Sequence, residues 1–560
     1  MKVPVQLGVL CATLALAVVP AVAQPTVGGI LNNYSYTLPG LPNYGIAQGS
    51  IFALYGSAMS GSSTGLQNAP LQTTLVGSTL NVTVGGVTTH PYLYYVTPTQ
   101  IAGILPSNTP VGTGTITVTY NNQTSAPLAI QVVASGFGML SLNNLGSGPS
   151  AAENANVNYS LLSSTNAANP GDYIVFWGSG LGPVSGSENT YPQPQTNMTN
   201  LPIQVEIGGV SATVDYRGRS QYPGLDEVIV IVPSGVSGCQ VSVAVISGSP
   251  SVVSNYGTIP VAPSGTRTCT DPTTSILTAS QLQTLAGKST VSYGFIGIGK
   301  TTTTTQPITV SGVTIEPGGT TVTDSASAAF VRYTSAQFES LTQSTASVGS
   351  CTLFTYTLAN EGTLPNSLPT YLNAGSAINL SGPQGNQALT FLNGLYSNPS
   401  PPTTFIPTSG GAFSFNNGSG GPDVGAFTTS LTVAAPLTWT NSSSITTVTR
   451  SQGVTVNWTG GNSNTYVEIS GSAFSGSSQT AVGGFFYCTA PVSAGTFTVP
   501  ASVLLSLPPT GSITESGVTI PIPGTLVVGN YSNPVSFTAS GLDFAFAQFY
   551  NTNSIQAAYQ

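Results

Sequence analysis

Apolar and polar residues alternate in short runs along most of the chain, and the runs end at Gly, Pro or Asn instead of continuing at a helical period. In residues 115–120, Ile116, Val118 and Tyr120 fall on one side of an extended strand and the threonines on the other. Val241, Val243 and Val245 repeat the pattern in residues 240–245, and similar runs occur at 427–433, 454–458, 485–488 and 497–499. Two short helical turns are predicted near Leu282 and Phe338, where Thr278/Gln281 and Thr334/Gln337 have capping-box spacing. The expected class is all-β.

Three blocks of the first half recur in the same order. Gly49-Ser50-Ile51-Phe52-Ala53-Leu54-Tyr55-Gly56-Ser57 parallels Gly171-Asp172-Tyr173-Ile174-Val175-Phe176-Trp177-Gly178-Ser179. Val82-Thr83-Val84-Gly85-Gly86-Val87 parallels Val205-Glu206-Ile207-Gly208-Gly209-Val210, and Pro106-Ser107 parallels Pro233-Ser234. The offsets are 122, 123 and 127 residues, so each unit is long enough for one sandwich of about seven strands. The glycine pairs predict hairpin turns, because Gly accepts positive φ without steric cost.

These blocks resemble the IPT/TIG type of immunoglobulin-like domain, in the tandem form of exported bacterial proteins. Tyr95-Val96-Thr97-Pro98-Thr99-Gln100-Ile101, Pro170-Gly171-Asp172 and Gly178-Ser179-Gly180-Leu181-Gly182-Pro183 add to the resemblance, which covers residues 24 to 270. It implies tandem β-sandwiches at 24–135 and 136–272, and little about function, because such modules serve adhesion, receptor ectodomains and enzyme accessories alike. Beyond them the sequence predicts a β-rich region at 273–398, a loop-rich connector at 399–425 and a C-terminal β-sandwich or jelly-roll-like region at 426–560. The two flanking regions are expected to touch as one composite β unit.

Charge changes the picture most. Only 4% of the 560 residues are charged, against roughly 25% in an ordinary domain, and none of Asp, Glu, Lys or Arg occurs between Lys2 and Glu153. A net charge of −8 excludes a nucleic-acid binder and disfavours anionic membrane surfaces. Sheet edges are usually guarded by charge, so its scarcity keeps self-association open as an alternative.

The N-terminus reads as a secretory signal over residues 1–23: Lys2, an apolar stretch, then Ala21-Val22-Ala23 as the cleavage site. No later segment is long and apolar enough for a membrane span. The expected location is secreted or cell-surface. Cys239, Cys269, Cys351 and Cys488 remain after cleavage, and four thiols allow three pairings. An exported chain with even cysteines and a single histidine, His90, favours disulfides over zinc. Cys239–Cys269 and Cys351–Cys488 are favoured; Ser254-Asn255 followed by Cys269-Thr270-Asp271 matches the closing pattern of the resembled family, which supports the first.

Several motifs invite sharper readings. Gly294-Phe295-Ile296-Gly297-Ile298-Gly299-Lys300-Thr301 satisfies the phosphate-loop pattern, yet the threonine run and Pro307 that follow oppose the helix the chemistry requires, so a glycine-rich strand or turn is expected. Gly61-Ser62-Ser63-Thr64-Gly65 matches a nucleophile elbow but lacks α/β context, and His90 is the sole candidate base. Leu507-Pro508-Pro509-Thr510-Gly511 matches a sorting signal without the apolar span and basic tail, and reads as a Pro-rich turn between strands. Asp226 and Glu227 are neighbours that face opposite sides of a strand, a poor glycosidase pair. Asp172 and Asp423 read as Asx-turns, with calcium ligation as the alternative. Trp177, Trp439 and Trp458 are expected as core anchors. Of the cluster Tyr92, Tyr94 and Tyr95, the first two share a face.

No catalytic, cofactor-binding or metal-binding residue is assigned from sequence. The expected function is non-catalytic binding or adhesion through an unknown protein or polysaccharide partner. A self-assembling envelope or matrix component is one alternative; a polysaccharide-binding accessory or glycoside-active enzyme, with its site in 273–560, is the other.

Overall fold

A computed structural model describes residues 23–271, 277–310, 312–335, 337–338, 346–357, 369–398, 404–476, 481–515 and 518–560. The signal segment, apart from Ala23, lies outside the described residues. Strands dominate throughout.

In the first unit, a sheet ordered Thr26–Asn32, Ile51–Ser57, Gln100–Ile104, Tyr92–Val96 faces a second built on Leu128–Val133, Gly112–Tyr120 and Ser78–Val84. Ile30, Phe52 and Leu54 from one meet Val82, Ile116 and Val118 from the other, a β-sandwich core. The second unit reuses the pairing. Tyr173–Ser179 lies antiparallel to Asp226–Ile231, as Ile51–Ser57 does to Gln100–Ile104. Ile203–Ile207 pairs with Gly238–Ser247, as Ser78–Val84 does with Gly112–Tyr120. The repeated glycine pairs make the repeated turns, with φ of 56° and 81° at Gly85 and Gly86 and of 58° and 73° at Gly208 and Gly209. In the second unit Val210–Arg219 joins both halves of one curled sheet. It leaves Ile203–Ile207 for Asp226–Ile231, with an irregularity between Val214 and Tyr216.

Most of the remaining strands form one large sheet, with three small sheets beside it; it is centred on two sixteen-residue strands, Thr290–Thr305 and Phe544–Tyr559, which run parallel, and Gly319–Thr334 flanks the first of them antiparallel. Phe544–Tyr559 serves two cores. Ala545, Ala547 and Phe549 join Ile296, Phe330 and Phe413 in one. Ile555, Ala557 and Tyr559 join Trp458, Ile469 and Phe486 in the other.

Residues 404–425 contain a strand where a connector was expected. Gly411–Asn416 pairs with Ala377–Gly382 and Thr428–Val433, and Phe413 and Phe415 enter the first core. The alternation of Ala412, Phe413, Ser414 and Phe415 is that of a strand, but glycines at positive φ (Gly410, Gly418, Gly420) crowd its ends and mask it. Residues 399–403 lie outside the described residues. The packing boundary also differs from the expected one at 426, since Phe427, Leu431 and Val433 complete the first core.

Cys239 is bonded to Cys269 and Cys351 to Cys488. Cys351 and Cys488 are direct cross-strand partners, tying Cys351–Thr357 to Val482–Pro491. Both capping boxes close reciprocally: Thr278 N–H donates to Gln281 Oε1 at 2.8 Å and Gln281 N–H to Thr278 Oγ1 at 3.3 Å, with the same pair of distances at Thr334 and Gln337. The first box starts the helix Ala279–Ala286.

The units are joined by buried contacts. Arg219, almost fully buried, lies 2.7 Å from Asp226 and donates to the carbonyl of Gly49 in the first unit at 3.1 Å. Asp226 Oδ2 accepts the N–H groups of Gly180 and Leu181. Ser179 Oγ accepts from Ile51 N–H and donates to Gly224 O. On the far side, Val241, Val243 and Val245 face the second unit's core while Ala244 packs against the C-terminal core, so Gly238–Ser247 is covered on both faces. A chain of bonds from Tyr256 Oη to Ser502 Oγ and on to Glu206 Oε2 crosses the same boundary.

Candidate functional site

The phosphate-loop-like segment supplies the first element of the site. Residues 294–301 lie inside the strand Thr290–Thr305, with no loop and no helix start. Lys300 points into the sheet's buried side, 2.5 Å from Asp324 on the neighbouring strand. Gly299 points to the opposite face, where a Cβ would stand 1.9 Å from the ring of Tyr550. The glycine is there because an aromatic ring lies across it, held by a 2.9 Å bond between the Tyr550 and Ser325 hydroxyls.

Register extends this into a row. Tyr466 is the cross-strand partner of Tyr531, Tyr531 of Tyr550, and Tyr550 of Gly299. The first two rings have centroids 5.8 Å apart and planes within 3°; Tyr531 and Tyr550 are 6.3 Å apart at 30°. A Cβ on Gly529 would come within 2.9 Å of the Tyr531 ring, so two glycines underlie two tyrosines. The rings therefore shingle across three strands, each partly open to solvent. Thr552 and Thr301, joined by a 2.9 Å hydroxyl bond, and Gln548 form a polar fringe.

Glu468 sits one row away, between Thr489 and Gly529. Burial pushes its carboxyl up to about 7, against the bond from Tyr531 that pulls it down. The Tyr531 hydroxyl is raised well above its usual range by burial first, and then by Glu468. A second aromatic group shares this sheet face: Phe354 stacks on Phe485 at 5.1 Å, and Phe485 meets Tyr487 edge-on at 5.2 Å.

The other candidates lie elsewhere. Ser63 is exposed in an irregular loop instead of a strand-to-helix turn, and His90 is exposed. Leu507 and Pro508 are buried, and residues 507–511 link the helix Ala501–Leu505 to the strand Ser512–Glu515, so the turn joins a helix to a strand and not two strands. Asp226 and Glu227 do part to opposite faces: Asp226 meets Arg219, while Glu227, raised by burial, accepts from Gln195. Asp172 is more than an Asx-turn. It accepts from Asn169 N–H, Asn154 and Arg267, bonds that outweigh its burial and hold its carboxyl below the usual range. Asp423 likewise accepts the N–H of distant Asn373.

Trp439 and Trp458 are buried, but Trp177 is half-buried on the outer face: alternation sends its neighbour Phe176 into the core and sets Trp177 opposite Glu227. Tyr92 and Tyr94 pack together on Ile51 and Ile104, and Tyr94 donates to Pro223 O at 2.6 Å, so they serve the junction between the first two units. Among the described residues no group of three or more His, Cys, Asp or Glu is placed to hold a metal, and no helix is long and apolar enough to cross a membrane. Sequence reasoning missed the tyrosine row, because its members are up to 84 residues apart. The available signal was Gly297 and Gly299 inside a strand rich in β-branched residues.

No family model matches the chain, and no curated protein matches it. Solved structures do. Domains 5–6 of the S-layer protein SbsC are 12% identical with a TM-score of 0.16, over 43% of this chain and 99% of that one. The Yersinia pseudotuberculosis adhesin InvE is 13% identical with a TM-score of 0.12, over 48% and 59%. The BSP domain of a biofilm associated protein is 8% identical with a TM-score of 0.15, over 95% and 96%. Scores this low carry no functional argument.

Proposed function

We propose that the chain is a non-catalytic, extracytoplasmic binding protein. In this reading the first two β units act as a rigid support, and the tyrosine row of the large sheet is the contact surface. The observation that carries it is the shingled array Tyr466, Tyr531 and Tyr550, laid over glycines and left partly open to solvent. Exposed aromatic arrays on rigid elements are the usual anchors of recognition. The signal-like N-terminus and two disulfides support location outside the cytoplasm. The test is co-sedimentation of purified protein with cell-envelope and extracellular-matrix fractions. Wild type is expected to co-sediment and the Tyr466→Ala/Tyr550→Ala variant to stay in solution; equal behaviour of the two refutes the assignment.

A second reading, self-association, is favoured by one strand. Thr428–Val433, at one end of the large sheet, packs back against Val535–Phe537; at the other end Cys351–Thr357, touched by Gly238–Ser247 and Ala501–Leu505, has a ladder partner on one side only among the described residues and carries no charge. Concentration-dependent growth in light scattering would favour it.

A further inference from the structure

From the chemistry of this surface we infer that its ligand is an extended, electrically neutral polysaccharide chain, lying across the strands with sugar-ring faces on Tyr466, Tyr531 and Tyr550. The inference rests on the binding role proposed above and names what is bound. A pyranose ring has an apolar C–H face and a rim of hydroxyls, and the surface offers the complement of each. The rings supply flat apolar area, with centroids 5.8 and 6.3 Å apart and planes inclined by 3° and 30°. The fringe supplies donors and acceptors without charge: Gln548, Thr552, Thr301 and Ser325.

Two features point to a chain of sugars over a single one. The ring centres succeed one another across three adjacent strands, so one sugar would leave most of the array idle. The rings are also preorganised: Tyr550 is pinned over Gly299 by Ser325, and Gln548 donates to Tyr466 Oη at 3.4 Å. Little side-chain entropy is then lost on binding. Charge argues for neutrality. The Lys300 cation beneath the row faces the other way and is paired with Asp324, so it is not presented to uronic acids or phosphates on the tyrosine face. Glu468, bonded by Tyr531, keeps further lone pairs for a sugar hydroxyl.

The experiment is affinity electrophoresis and insoluble-glycan depletion with the full-length protein. Mixed-linkage β-glucan, xyloglucan and cellulose are the neutral probes; polygalacturonate and chitosan are the charged ones. At least one neutral glycan is expected to retain the wild type, and Tyr550→Ala to weaken retention by about tenfold or more, the loss of one aromatic anchor of the row. Tyr550→Phe keeps the ring and is expected to retain most of the binding, which separates loss of the platform from loss of fold; Tyr191→Ala, at an exposed tyrosine of the second unit, is expected to bind as wild type. No retention on any neutral probe, or Tyr550→Ala binding equal to wild type with circular dichroism intact, overturns the inference. If the tyrosine variants still abolish co-sedimentation with matrix fractions while neutral glycans fail, the ligand class is wrong and the binding role stands. If neither changes, both fall.

Discussion

Glu468→Gln should make the protein more stable above neutral pH. In the unfolded chain this carboxyl titrates near 4.5, and in the folded chain at about 7. A raised carboxyl pKa means the folded state binds the proton more tightly. Its contribution is therefore most favourable below pH 4.5 and declines as pH rises to about 7, after which a charged carboxylate stays confined among tyrosines. The full span corresponds to roughly 3 kcal/mol. Glu468 is partly open to solvent, and glutamine keeps the oxygen that accepts from Tyr531, so a gain of about 1–2 kcal/mol at pH 8 is expected. Trp439 and Trp458, both in the core beneath this sheet, report on it through fluorescence. Urea titrations of wild type and variant at pH 5 and pH 8 give the answer. The wild type should lose more stability between the two pH values than the variant does. Parallel losses, or a variant less stable than wild type at pH 8, would show that the Glu468 carboxylate is not the source of the pH-dependent cost.

Three further changes follow from the packing. Arg219→Met leaves Asp226 buried without its cation and removes the bond to Gly49; a loss of about 3–5 kcal/mol is expected, read by calorimetry and Trp177 emission from the second unit. Gly299→Ala puts a Cβ 1.9 Å from the Tyr550 ring, so thermal unfolding should show a cost of about 1–3 kcal/mol, and glycan retention should fall with it. Removing the Cys351–Cys488 bond by double alanine substitution opens a loop spanning 137 positions; the loss should approach, without exceeding, about 5 kcal/mol, with new protease sensitivity near Thr357.

The local half of the fold was legible and the long-range half was not. Alternation marked strands such as Gly112–Tyr120, and paired glycines marked the turns at Gly85–Gly86 and Gly208–Gly209, because both depend only on neighbours in sequence. The tandem blocks carried their pairing with them. The large sheet has no such signal: Thr290–Thr305 pairs with a strand about 250 positions later, and nothing in either strand names the other. Gly411–Asn416 was hidden by the glycines that bound it. Trp177 and Phe176 both stand in an apolar run, where alternation alone does not say which side is inward. The tyrosine platform had a sequence trace in Gly297 and Gly299, but the pattern match to a phosphate loop gave those glycines the wrong cause.

The strand Phe544–Tyr559 also sets a timetable. A chain made from its N-terminus can close the first and second units on their own strands as soon as each is complete. The large sheet has to wait, because Thr290–Thr305 and Gly524–Tyr531 flank a slot that fills only when the last sixteen-residue strand arrives. Until then both sides of that slot present unpaired backbone groups, with Lys300 the sole charge on Thr290–Thr305 and none on Gly524–Tyr531. The interval between making the slot and filling it is the period when this molecule is most exposed to wrong partners.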